Sequence, residues 1–282
     1  MIFLEKIELM APAGDIEKLK IALLYGADIV YIGGKKYSLR ANASNFTIED
    51  IKTSCIFAHK LGKKVYVTVN ILFHDEDLEG VKTYLKELED SCVDAVIICD
   101  AFLIPIIKKE TPKLKIVMST QMSTSNTLSV KHFLEEGVDS IVLAREVTKK
   151  EIKEIYDETH ADLEVFLHGA MCTCYSGRCV LSNYVTNRDS NRGGCAQVCR
   201  FCFDLDKKRK KNFSIATKDL NLADHIKGLI EIGVKHLKVE GRMRGTYYIA
   251  TVISCYRNLI DAYYNNNWTK SNLERNLKLL SR

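Results

Sequence analysis

The sequence predicts an α/β protein: a closed (β/α)8 barrel of the TIM type with a cysteine-rich insertion between its seventh and eighth strands. Three observations predict it. Short β-branched runs alternate with segments of helical period through the first two thirds of the chain. Most of those runs are apolar at nearly every position, as strands covered on both faces require. The joints leading into strands also repeat one design, in which a glycine ends a helix, a small apolar residue follows, and a polar residue opens the strand.

The first expected strand is IELMAP (7–12), and Asp15 just beyond it is placed to cap the first helix. The second, DIVYIGG (28–34), follows the glycine stop in YGAD (25–28). Its sequel, IGGKKYSLR, lacks the Gly-x-Gly-x-x-Gly spacing, so a dinucleotide site is not supported. KVYVTVN (64–70) is the third. AVIICD (95–100) is the fourth, with Cys92 standing where the other joints have glycine. KIVMST (115–120) and SIVLAR (140–145) are the fifth and sixth, and DLEVFLH (162–168) the seventh. HLKVEGR (236–242) comes much later and completes eight. An open doubly wound sheet is the alternative architecture. The stretch YRNLIDAYYNNNW (256–268) reads as an amphipathic helix packed on the barrel, in preference to a base-stacking surface.

Residues 1–282 are thus expected to form one barrel domain, with 169–212 as the insertion. A barrel places its chemistry at the C-terminal ends of its strands. Arg145, His168, Glu240 and Arg242 stand there and are the catalytic candidates, beside the polar Asn70, Asp100 and Gln121.

Apolar residues make up 46% and charged residues 27%, with no apolar run of eighteen, so a soluble chain without a transmembrane helix is expected. The opening MIFLEKIELMAPAGD carries charge where a secretory signal would be apolar, and a cytoplasmic location is expected. A net charge of +5 permits an anionic partner without demanding one. The run KKRKK (207–211) is either a solvated loop or an edge that contacts RNA phosphates.

Six of the ten cysteines fall between Cys172 and Cys202, in HGAMCTCYSGRC (168–179) and CAQVCRFC (195–202). Disulfides are rare in a reducing cytosol, so metal, iron–sulfur or a thiol nucleophile are the candidate uses. Only Cys195 and Cys199 approach a zinc knuckle. Iron–sulfur clusters tolerate wider spacing and take about four thiolates, so the spacing favours iron–sulfur and leaves zinc open. A Cys172–His168 nucleophile and base would explain one cysteine and leave five. Cys55, Cys92, Cys99 and Cys255 read as small buried hydrophobes.

The stretch EVFLHGAMCTCYSGRCVLS (164–182) resembles the signature of the collagenase-like peptidase family, whose catalytic type is unassigned. The pattern is met at Glu164, Phe166, Gly169, Ala170, Met171, Cys172, Gly177, Cys179, Leu181 and Ser182. ELMAPAGD, NRGGCAQVCRFCFDL and LKVEGRMRGTYYIATVISCYR resemble the family's opening, second cysteine block and closing segment. The resemblance implies a barrel that holds a 4Fe–4S cluster on Cys172, Cys179, Cys195 and Cys199, with Cys174 and Cys202 outside the matched pattern. It implies hydroxylation of RNA, foremost the tRNA wobble uridine, with prephenate as co-substrate. Arg145, Arg178, Arg188 and Arg242 are then candidates to hold carboxylates or phosphates. The plainer expectation is that they pair with Glu146, Glu164, Asp189 and Glu240. Longer members carry a further C-terminal domain, so a short form or a fragment is expected, with a second family member as a heteromeric partner. Two other readings accompany this one: a collagenase-like peptidase using Cys172 with His168 or a metal-activated water, and a non-catalytic zinc-binding partner subunit.

Overall fold

A computed structural model of the chain describes residues 6–39, 44–204 and 212–281. Eight parallel strands close into a barrel: β1 (Glu8–Pro12), β2 (Ile29–Gly33), β3 (Lys64–Val69), β4 (Ala95–Ile98), β5 (Lys115–Met118), β6 (Ser140–Val142), β7 (Leu163–Gly169) and β8 (His236–Val239). Each pairs with its neighbour in sequence order, and β8 returns to pair with β1, Glu8 opposite His236. All eight expected runs form these strands.

The connecting helices are α1 (Ile16–Leu24), α2 (Ile48–Lys60), α3 (Val81–Asp90), α4 (Leu103–Glu110), α5 (Thr127–Glu135), α6 (Lys149–Thr159), α7 (Ile226–Ile232) and α8 (Thr246–Tyr264), with α9 (Lys270–Leu280) packed against α8. Their starts follow local chemistry. The Asp15 carboxylate accepts from the Lys18 amide, and Thr47 with Asp50 closes a reciprocal capping box on α2. Cys92 occupies the left-handed region at φ 60° where the parallel joints use Gly26, Gly137 and Gly233. It is exposed, which corrects its expected place in the core, because a helix stop lies at the surface of the joint. Cys55, Cys99 and Cys255 are buried as expected.

Strand side chains alternate between two cores. One face packs under the helices, with Leu9, Ile32, Val67, Ile98 and Leu237. The other fills the barrel interior, with Met10, Tyr31, Tyr66, Ile97, Val142 and Phe166. The α8 helix buries Tyr256 fully against the first core, so the expected packing role of that helix holds.

At the N-terminal end of the barrel, Glu8 accepts from Lys64 Nζ at 2.7 Å and pairs with His236 Nε2 at 2.9 Å. Burial alone would raise the Glu8 pKa. The hydrogen bonds from His236 and Lys64 outweigh it and hold the carboxyl at about 2.

Between β7 and β8 the chain forms a short helix (Leu181–Thr186), a small antiparallel pair (Phe203–Asp204 with Asn212–Phe213), and a two-residue strand, Leu220–Asn221, antiparallel to the end of β7. The basic run 207–211 lies outside the described residues. Among the described residues no helix is long and apolar enough to cross a membrane.

Candidate active site

The β7–β8 segment folds over the C-terminal ends of the strands and encloses a cavity of about 470 Å³. Its floor is barrel interior, with Tyr31, Thr68, Ile97, Val142, Phe166 and Lys238, and its upper wall is the segment itself. Five of the six clustered cysteines, Cys172, Cys174, Cys179, Cys195 and Cys199, line this one space.

Two glycines of the motif make the fold-over possible. Gly177 has φ +69°, and a Cβ there would lie 1.9 Å from the Gln121 carbonyl oxygen. Gly169 has φ +105°, and its Cβ would lie 2.4 Å from the Glu240 carbonyl oxygen. Both positions exclude a side chain by contact as well as by backbone conformation. Between them Ser176 is buried and ties the segment to the turn that follows β6. Its amide donates to Glu146 Oε1 at 2.7 Å, and the Arg145 amide donates to its hydroxyl at 3.1 Å. Ser123 donates to its carbonyl. Farther along, Arg192 donates to the Leu72 carbonyl at 2.7 Å and pairs with Asp77 and Glu76.

The thiols are not equivalent. Burial pushes the Cys179 thiol up, but the amides of Leu181 and Ser182, the Ser190 hydroxyl and the Cys174 thiol bond it and bring it below its ordinary value. Cys174 is pushed up to about 11, by burial first, then by its hydrogen bond to Cys179 and by the charges of Cys179, Cys172 and Cys199. Cys174, outside the matched pattern, therefore stands directly beside a matched cysteine. Among the described residues no three His, Cys, Asp or Glu side chains stand close enough to hold one metal ion. The chemistry of the donor set, five thiols bordering one cavity with the pKa of one lowered by backbone amides, fits an iron–sulfur cluster held at separate corners.

The charged candidates divide. Arg145, Arg188, Glu240 and Arg242 line the cavity. Arg242 is buried, and its Nη1 donates to Ser38 Oγ at 3.0 Å and Thr68 Oγ1 at 3.1 Å. Gly33 lets it pass, since a Cβ there would stand 2.3 Å from that nitrogen. The Arg145 guanidinium lies 4.0 Å over the Phe166 ring. Arg178 is not among the lining residues and donates instead to Ser123 Oγ at 3.4 Å.

His168 is not among them either. It is buried, shares a 2.9 Å hydrogen bond with the Tyr256 hydroxyl, and packs edge-on to that ring. Burial lowers its pKa to about 4, so the imidazole is neutral at pH 7.

The expected arginine pairings are corrected at two carboxylates. Glu164 is fully buried and pairs with Lys238, and Glu146 accepts from Ser176. Lys238 went unremarked in the sequence, though a lysine inside an apolar strand, one strand away from a glutamate similarly placed, is a readable sign of a paired interior charge.

A profile of peptidase family U32 matches residues 14–282. The chain belongs to peptidase family U32. This U32 chain is 48% identical over 273 residues to the tRNA hydroxylation protein P1 of Bacillus subtilis (strain 168), covering 93% of this chain and 65% of that protein. It is 36% identical over 262 residues to the 23S rRNA 5-hydroxycytidine C2501 synthase of Escherichia coli (strain K12), covering 91% of this chain and 40% of that protein. The U32 chain therefore spans less than two thirds of each relative. Its fold is similar to that of the U32 peptidase Mk0906, with a TM-score of 0.56 at 13% identity, covering 83% of this chain and 93% of that one.

Proposed function

We propose that this chain carries the barrel and cysteine site of an RNA hydroxylation factor, acting on tRNA at the wobble uridine. One observation carries the reading: the cysteine set and the cationic side chains Arg145, Arg188, Arg242 and Lys238 border a single cavity at the face where barrels do chemistry. The names of two relatives, a tRNA hydroxylation protein and an rRNA hydroxycytidine synthase, support the same class of reaction.

In this reading Cys172, Cys179, Cys195 and Cys199 hold a 4Fe–4S cluster, which supplies redox chemistry when bound. The chain's own residues do the rest. The amides at the start of the short helix bond the Cys179 sulfur and lower its pKa against the effect of burial. Ser176 and Arg192 hold the segment over the cavity. Arg145 and Arg242 take the carboxylates of prephenate, the proposed co-substrate, because a guanidinium bonds a carboxylate with two parallel N–H groups. Arg188 and Arg178, on the rim side, meet RNA phosphate. Tyr31 and Phe166 give the floor aromatic surfaces against which Lys238 and Arg145 are set.

The dyad form of the peptidase reading needs His168 as the base at Cys172, and its Nδ1 is engaged by the Tyr256 hydroxyl. A second family member is the proposed partner, to be sought by co-purification.

The test is anaerobic purification with iron, sulfide and zinc analysis beside single Cys→Ala variants, followed by mass spectrometry of tRNA nucleosides from cells lacking the gene. About four irons per chain, lost on substitution, and a missing hydroxylated uridine are expected. A colourless zinc protein, or unchanged nucleosides in all stable RNAs, overturns the reading. Gelatin cleavage that is lost in Cys172→Ala would assign the peptidase activity instead.

A further inference from the structure

Lys238 and Glu164 form an ion pair sealed inside the barrel, yet Lys238 lines the floor of the cavity. A purely structural pair gains nothing from facing a ligand space, and apolar replacement of such pairs is often neutral or stabilising. The surroundings give this pair a use. The Lys238 ammonium lies 4.4 Å from the Tyr31 ring centroid and 5.9 Å from that of Phe166. Arg145 covers the same Phe166 ring at 4.0 Å. Among the described residues no carboxylate pairs with the Arg145 guanidinium, and its buried Nε has no hydrogen-bond acceptor. Glu164 Oε2 is likewise buried without a donor. One ring thus carries an amine with an acid–base partner and, beside it, a cation still open to an anion.

We propose that Lys238 forms a reversible imine with the ketone of a small 2-oxo carboxylic acid, whose carboxylate is held by Arg145. The adjacent carbonyl and carboxylate of a 2-oxo acid match an adjacent amine and guanidinium. The inference rests on the reading that the cavity takes a small carboxylic acid, and prephenate belongs to this class. Burial disfavours the ammonium and pushes the Lys238 pKa down, against the pull of Glu164. In the neutral form of the pair the proton is on Glu164 and the amine keeps its lone pair. That lone pair adds to the ketone carbon, the carbonyl π electrons move to oxygen, and Glu164 gives that oxygen its proton. The nitrogen–carbon adduct then loses water, leaving an iminium opposite the Glu164 carboxylate. No oxidant or reductant is consumed.

The test is reductive trapping. The purified chain is treated with phenylpyruvate or pyruvate and sodium borohydride, then analysed by intact mass and peptide mapping. One adduct per chain is expected, on the peptide bearing Lys238, with none from phenyllactate, which lacks the ketone. Arg145→Gln is expected to lower the trapped fraction about tenfold, the loss of one charge-assisted contact. Lys238→Met should abolish trapping. Should that variant fail to fold, mapping on the unaltered chain still decides. No adduct, or adducts spread evenly over surface lysines, overturns the proposal and leaves the pair a structural one. Trapping requires neither iron nor RNA, so its failure is separate from a failure of the hydroxylation reading.

Discussion

The barrel strands bury nearly every side chain they carry, whereas the described residues of 170–222 bury only Ser176, Ser182, Gly193 and Val198. Of these four, Val198 alone offers a sizeable apolar side chain, so hydrophobic burial cannot be what orders the segment. The barrel stands on its two cores. The segment stands on point attachments: Ser176 to Glu146 and Ser123, Arg192 to Leu72 and Asp77, and the thiols around the cavity. A region held this way opens locally at a far smaller cost than the global unfolding of the core. The difference separates two kinds of order: a barrel held by its cores, and a segment that opens more readily above functional groups supplied by both.

The comparison breaks most sharply at Glu164. Glu164→Ala leaves Lys238 buried without its partner and is expected to cost about 3–5 kcal/mol of global stability. A denaturant midpoint that stays put would show that the interior does not depend on this pair.

Arg192→Ala should act on the other region alone. It removes charge-assisted bonds worth about 1.5–3 kcal/mol. Hydrogen exchange is expected to quicken across 170–200 while the barrel's midpoint holds. Equal loosening of both regions would mean the segment is part of the barrel's cooperative unit.

A smaller effect is set by pH. His168 has a folded pKa of about 4 against 6.5 in an open chain, so the unfolded state takes up the proton first as pH falls. Stability is whole above pH 6.5 and declines between 6.5 and 4. His168→Gln should flatten that slope in pH-dependent unfolding. Glu8 adds a separate loss, starting below about pH 4.5 and continuing as pH approaches 2.

The smallest change in stability is expected at Tyr184, which is 89% exposed on the short helix of the segment. Tyr184→Ala should shift unfolding by less than about 0.5 kcal/mol. If this exposed ring stacks on an unpaired base, the same variant weakens RNA binding by about 1–3 kcal/mol. Unchanged binding in a filter or polarisation assay would remove Tyr184 from the RNA surface.

The strands were legible because their pattern is local: β-branched runs, glycine stops and the Asp15 cap each act within a few residues. The Cys92 stop was legible from its position in a repeated joint, while its exposure was not, because residue type alone makes cysteine look buried. The gathering of Cys172, Cys179, Cys195 and Cys199 around one cavity accords with their clustering along the chain. Cys174 escaped, since its neighbour Cys179 is set by how the segment turns at Gly177.

By its own order, then, the chain determines eight strands, their helices and a sulfur-rich segment at one end of the barrel. Only the closed structure decides what the charged groups at that end touch. Strict alternation along β7 would send His168 to the same face as Glu164 and Phe166. The pairing with β8 slips between Lys238 and Val239, and His168 packs against Tyr256 instead. Lys238 meets Glu164 because β7 and β8 pair side by side despite the long segment between them. The two residues stand 74 positions apart, and although the apolar pattern of each strand limits the register, only the packed barrel brings one pairing into place.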